Sequence, residues 1–136
     1  MMLRISNLDL AALTHLAREA RPHEVCGLLV GLRRGRWNWV LRTVAAPNRS
    51  AQHPSFVVDP VTWRDVERGL QGSESIIGVF HSHPEGAARP SEADIRSLMR
   101  IWGPDSPWSV LILGARNAGS YRLRSGRIHE EPVILG

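Results

Sequence analysis

His81-Ser82-His83-Pro84 is followed by Ser91 and Asp94, and Glu24 stands far upstream. Together they spell E … H-S-H-x7-S-x-x-D, with Pro84 to Pro90 between His83 and Ser91. The set holds two neutral nitrogen donors, one carboxylate donor, an alcohol and a spare carboxylate. Hydrolysis at zinc needs that combination: three protein ligands, an open position for water, and a base.

The elements around these residues explain how they could meet. Ile76 to Ser82 is apolar on both faces until the histidines arrive, which predicts a central strand covered on both sides. Side chains two apart on a strand share a face, so His81 and His83 leave the sheet together, at its C-terminal edge, where Pro84 ends the strand. Ser82 points the other way. Ser91 starts a helix whose Ile95, Leu98, Met99 and Trp102 recur at helical spacing, and Asp94 lies one turn in. The loop from Glu85 to Pro90 is long enough to fold that helix over the strand end. Glu24 precedes a buried strand over 25–32 and can stand beside the water position. Singly, each feature has a plainer reading. Two histidines on a strand are common, Ser91-Glu92-Ala93-Asp94 is a capping box, and Glu24 could be a solvated carboxylate. Their joint occurrence is what points to a metal site. Cys26 reads as a small buried hydrophobe. His15, His23, His53 and His129 have no spacing relation to the motif and default to the surface.

Elsewhere the pattern is regular. Ser6 caps a first helix with Asp9 at its third position; Leu10, Leu13, Ala17 and Ala20 form its apolar face, and Pro22 stops it. Arg33-Arg34-Gly35 is expected to turn the 25–32 strand into a partner over 37–44. Ala46 to Pro54 reads as a polar loop and 56–58 as a short strand. Asp59-Pro60 opens a second helix, with Trp63, Val66 and Leu70 on its inner stripe and Gly72-Ser73 at its end. Strands follow at 108–113, 120–124 and 127–130, the last two joined by Ser125-Gly126. The order α-β-β-β-α-β-α-β-β-β predicts an α/β fold, a mixed sheet flanked by helices, in one domain over residues 1–136.

Composition narrows the class. The 17 basic residues are all arginine and exceed the acids by four. They are spread along the chain, with small clusters at Arg33-Arg34-Arg36 and Arg122-Arg124-Arg127 that read as solvated faces, so no nucleic-acid partner is expected. One cysteine cannot form an internal disulfide. No apolar run approaches the roughly 20 residues that span a bilayer, and no secretory leader is visible. The expected location is therefore cytoplasmic.

The motif resembles that of the JAMM (MPN-plus) zinc metalloproteases. Pro22-His23-Glu24-Val25-Cys26-Gly27-Leu28-Leu29 around the glutamate and Arg89-Pro90-Ser91 before the aspartate are similar to the family's compact prokaryotic branch. The resemblance covers nearly the whole chain. It implies a cytidine-deaminase-like architecture and one Zn2+ held by His81, His83 and Asp94. It implies that Glu24 takes a proton from water and returns it to the leaving amine, while Ser91 hydrogen-bonds the developing oxyanion. The implied substrate is the bond after the Gly-Gly tail of a ubiquitin-fold or sulfur-carrier protein. Residues 95–136 leave little space for the insertions of polyubiquitin-specific members. The segment His53 to Val58 is a candidate edge for the tail to join by strand addition. Three alternatives compete. A non-catalytic scaffold of the same fold would not need every ligand position filled. A nucleic-acid-associated domain rests on the arginines and on a fold relationship to DNA-repair-associated proteins. A zinc deaminase would need H-x-E and P-C-x-x-C, which are missing. A monomer or a homodimer through the Trp37/Trp39 face is compatible with the sequence.

Overall fold

A computed structural model describes residues 1–47 and 58–136. The elements run β1 (Met2–Ile5), α1 (Asn7–Ala20), β2 (Cys26–Arg34), β3 (Trp37–Ala46), α2 (Pro60–Arg68), β4 (Ser75–Ser82), α3 (Glu92–Trp102), β5 (Ser109–Leu113), β6 (Ala118–Arg124), β7 (Arg127–Glu131) and β8 (Val133–Leu135). The strands form one mixed sheet in the order β7-β6-β5-β4-β2-β3-β1-β8. β4 and β5 are parallel, as are β1 with β3 and with β8; the other pairs are antiparallel. This is the α/β sheet with flanking helices that the pattern predicts.

The sheet separates two apolar clusters. On one face, Leu10, Leu13 and Ala17 of α1 pack on Leu29, Phe80, Leu111 and Leu113. On the other, Trp63 and Val66 of α2 and Ile95, Leu98 and Trp102 of α3 pack on Leu28, Val79, Val110 and Ile112. Trp108 meets Trp63 and Trp102 edge to face, with ring centroids at 5.3 and 4.6 Å. β4 is covered on both sides, as its unbroken apolar run requires. A register shift leaves Ile77 as an extra residue opposite Leu29 and Val30. Beyond that bulge, Val79 and His81 face α2 and α3, while Phe80 and Ser82 face α1. Gly27 is fixed by close approach, because a Cβ there would lie 2.1 Å from the Val44 carbonyl oxygen and 2.5 Å from the Phe80 ring.

Several boundaries differ from the sequence reading. The β2–β3 turn is Gly35-Arg36, not Arg33-Arg34-Gly35. Gly35 at φ 61° permits the tighter reversal, so Arg33 and Arg34 stay in the strand, opposite Asn38 and Trp37. α2 ends at Arg68 with Gly69 as its cap, leaving Leu70 outside the helix. β1 and β8 were not foreseen. Each is short, and each pairs with sequence-distant partners. Of the predicted 56–58 strand, only Val58 lies within the described residues, where it forms an isolated bridge.

Arg122 is a correction of a different kind. It does not lie on a solvated face: it is buried with Glu131, whose Oε2 accepts from Arg122 Nε at 2.5 Å. Ser109 and Ser120 donate to Glu131 Oε1, and Asn38 Nδ2 donates to Ser109 Oγ at 2.9 Å. Polar groups from four strands thus satisfy one another inside the sheet region, which makes their burial tolerable.

Candidate metal centre

The strand-end geometry does what the period of two requires. His81 is fully buried near the end of β4, and His83 follows the strand, held by its N–H to the Leu113 carbonyl at 2.8 Å. Their rings sit 4.9 Å apart on the α3 side of the sheet. Asp94 arrives through the cap of α3. The Asp94 N–H donates to Ser91 Oγ at 3.0 Å, and the Ser91 N–H donates to Asp94 Oδ2 at 2.9 Å. This reciprocal box points the buried carboxylate at both imidazoles: Asp94 Oδ2 lies 3.1 Å from His83 Nε2 and 3.8 Å from His81 Nε2. Capping and site-building are the same interaction here. Ligand-capable atoms of His81, His83 and Asp94 all lie within 4.8 Å of one another.

The proton arithmetic favours a cation among them. His83 Nδ1 lies 3.0 Å from the Ala87 carbonyl oxygen, which can only accept, so Nδ1 carries the hydrogen. In a neutral imidazole, Nε2 then turns a lone pair toward the Asp94 carboxylate. Two acceptors at that distance need a proton or a metal ion between them. Without a metal the proton serves: the hydrogen bond from His83 to Asp94 lifts the His83 pKa above its ordinary value despite partial burial. Asp94 responds in the opposite sense. Burial alone would raise its pKa, but the His83 hydrogen bond, the His81 ring and the Ser91 N–H outweigh it and hold the carboxyl below its usual range. Asp94 Oδ1 is buried and has no hydrogen-bond partner among the described residues. Burial pushes His81 down to about 4, so it is neutral and ligand-competent at physiological pH. A carbonyl-tethered imidazole, a neutral imidazole and a carboxylate with a spare oxygen fit a divalent metal.

Glu24 and Ser91 border the opening. A cavity of about 280 Å³ beside the cluster is lined by Glu24, His83, Pro84, Glu85, Gly86 and Ser91. Burial raises the Glu24 pKa; nearby His83 lowers it and Asp94 adds to the rise. All five residues singled out from the sequence therefore converge at one end of β4. Cys26 does not join them. Its buried Sγ faces the Ala46 and Pro47 carbonyls at 3.7 and 3.8 Å, and burial, with Glu24 nearby, lifts the thiol to about 11. His15, His23 and His129 are exposed. His53 lies outside the described residues, as does the candidate tail-binding edge apart from Val58.

Two sets of supporting contacts have almost no signature in the sequence. Ser82 Oγ accepts the Val25 N–H at 2.9 Å, and the Ser82 N–H donates to the Val25 carbonyl at 3.0 Å. That pair clamps the start of β2 to the end of β4 and so places Glu24. Tyr121 donates its hydroxyl to the Ala88 carbonyl at 2.5 Å, and Ala115 N–H donates to Gly86 at 2.9 Å, shaping the loop between His83 and Ser91. Only the inward parity of Ser82 hinted at either.

A mixed sheet with helices on both faces and a His-His-Asp cluster at a central strand end defines a JAB/MPN-type domain with a metal-competent site. The chain belongs to the family described as prokaryotic homologs of the JAB domain, whose profile matches residues 9–126. It is 32% identical over 120 residues to the "Probable TtuB-protein conjugate cleaving protease" of Thermus thermophilus, covering 83% of this chain and 70% of the relative. It is 27% identical over 117 residues to the "Desampylase" of Pyrococcus furiosus, covering 82% and 76%. Among solved structures, a solution structure from Desulfitobacterium hafniense matches with TM-score 0.77 at 29% identity, covering 100% of this chain and 93% of that one. A JAB1/MPN domain protein from Archaeoglobus fulgidus matches with TM-score 0.58 at 23% identity, covering 98% and 99%, which bears on the fold alone. Among the described residues, no helix is long and apolar enough to cross a membrane.

Proposed function

We propose that this chain is a zinc-dependent peptidase that hydrolyses the bond after the C-terminal Gly-Gly tail of a ubiquitin-like or sulfur-carrier protein. The observation that carries the reading is the convergence of His81, His83 and Asp94 beside a cleft that also holds Glu24 and Ser91. The names of the Thermus and Pyrococcus relatives, a conjugate-cleaving protease and a desampylase, support the substrate class.

His81 and His83 would supply the nitrogen donors and Asp94 the oxygen donor, a set that suits zinc. The bound ion would supply Lewis acidity toward a carbonyl and would acidify water. The remaining work falls to the chain. Glu24 accepts a proton from the attacking water, and its raised pKa suits it to return that proton to the leaving amine. Ser91 Oγ accepts from the Asp94 N–H, which leaves its own hydrogen free to donate to the developing oxyanion. Ser82 holds Glu24 in place through Val25. One domain over 1–136 accounts for the reaction.

The test is incubation of zinc-loaded protein with ubiquitin-fold carriers extended or conjugated beyond Gly-Gly. Mass spectrometry is expected to show a cut after the second glycine. Intact carriers with one metal per chain would reject the substrate class.

A further inference from the structure

A second cavity, of about 230 Å³, lies on the α1 face, across Pro84 from the cleft. Pro84 lines both spaces, so the two adjoin at that residue. Ser82 and Leu113 form part of its wall, and Arg18, Arg21 and Arg116 contribute its charge. No carboxylate among the described residues lines it. Among the described residues none of the three arginines forms an ion pair; Glu19, the acid next to Arg18 in sequence, faces His15 at 3.9 Å. The Arg21 guanidinium donates to the Ala115 carbonyl at 3.4 Å.

Helix electrostatics explain one of these cations. Arg18 stands in the last turn of α1, where positive charge offsets the carbonyl end. They do not explain Arg116, which comes from the β5–β6 turn and meets the end of α1 from a different segment. Like charges brought together around a partly enclosed space raise the local potential for an anion. Guanidinium groups match a carboxylate with paired donors.

The position of the cavity narrows the ligand. If the chain cleaves after Gly-Gly, a reading on which this inference rests, the residues just before the scissile bond have no side chains to offer. A side chain reaching across Pro84 must then belong to the leaving side. We propose that this cavity is an anion subsite that receives the carboxylate of an Asp or Glu side chain on the leaving-group side of the scissile bond. The preferred substrate would carry an acidic residue beside the amine to which the carrier is joined.

The experiment uses zinc-loaded full-length protein and a ubiquitin-fold carrier whose Gly-Gly is followed by a randomised extension. Cleaved and uncleaved sequences are counted by mass spectrometry. Extensions with Asp or Glu are expected to be cut about tenfold faster than their Asn or Gln counterparts, the scale of one charge-assisted contact. The triple variant Arg18→Ala, Arg21→Ala, Arg116→Ala should lose that preference, and Arg21→Glu with Arg116→Glu should reverse it toward Lys and Arg. All three positions are exposed, and unchanged melting and metal content check that the variants fold. Equal rates for acidic and amide extensions would overturn this inference alone. Failure to cut any extension would overturn the proteolytic reading and this inference with it. Free glutarate should remove only the acidic advantage; uniform inhibition of every extension would reassign the cavity to a small-molecule effector and refute the substrate role.

Discussion

Ser82→Ala separates the positioning of Glu24 from the holding of metal. The substitution deletes the acceptor of the Val25 N–H while leaving the Ser82 N–H bond to the Val25 carbonyl. Ser82 is fully buried, so the orphaned N–H costs about 1–2 kcal/mol. For a chain of this size that is a fall in Tm of roughly 3–10 °C. His81 and His83 point to the opposite face, and their bonds to Leu113, Ala87 and Asp94 are untouched. Metal content should stay at one per chain. The start of β2 loosens, and Glu24 with it; a misplacement of about 1 Å at a reacting group costs on the order of 10²-fold in kcat/KM. The assay is a double-mutant cycle with Glu24→Gln, read as kcat/KM, metal content and Tm. If Ser82 acts through Glu24, Ser82→Ala should cost nothing further in activity once Glu24 is Gln, while its stability cost persists. Parallel loss of metal and activity, or fully additive losses of activity, would refute the positioning role.

Further outcomes follow from individual contacts. Asp94→Ala should abolish tight metal binding and, by opening the Ser91–Asp94 box, lower stability by about 1 kcal/mol, measurable by metal analysis and melting. Ser91→Ala should keep most of the metal but slow turnover by about 10²–10³ if its hydroxyl is a principal oxyanion donor; an unchanged rate would leave it a cap alone. Cys26 should resist alkylation. Its pKa is raised from 9.0 to about 11, so at pH 8 the reactive thiolate is about a hundredfold scarcer than for an unperturbed thiol, before burial is counted. Labelling should rise with pH toward 11 and become rapid on unfolding. By the same linkage, stability from the protonated thiol is complete below about pH 9 and is lost as pH rises toward 11.

Much of the site was legible because it rests on short-range rules. The parity of a strand puts His81 and His83 on one face, and the capping spacing puts Asp94 one turn above Ser91. Neither rule says that the cap carboxylate faces the strand end; the Glu85–Pro90 loop and its ties from Tyr121 and Ala115 settle that. Glu24 is a lone carboxylate before a strand and has no local signature, so its role as the base rested on the joint pattern and the resemblance. β1 and β8 escaped for want of length: four and three residues give too little alternation, and their stability comes from pairing with each other and with β3. Arg122 and Glu131 escaped for the opposite reason. Their charge pattern reads as surface, and only the convergence of Asn38, Ser109 and Ser120 makes an interior position favourable.

The most direct measurement is anomalous X-ray scattering at the zinc edge from crystals grown with zinc. One peak per chain is predicted, about 2.0–2.2 Å from a nitrogen of His81, a nitrogen of His83 and an oxygen of Asp94, with Glu24 beside it but unbound. A peak held by other residues, or none at saturating zinc, would contradict the metal centre on which the proposed chemistry stands.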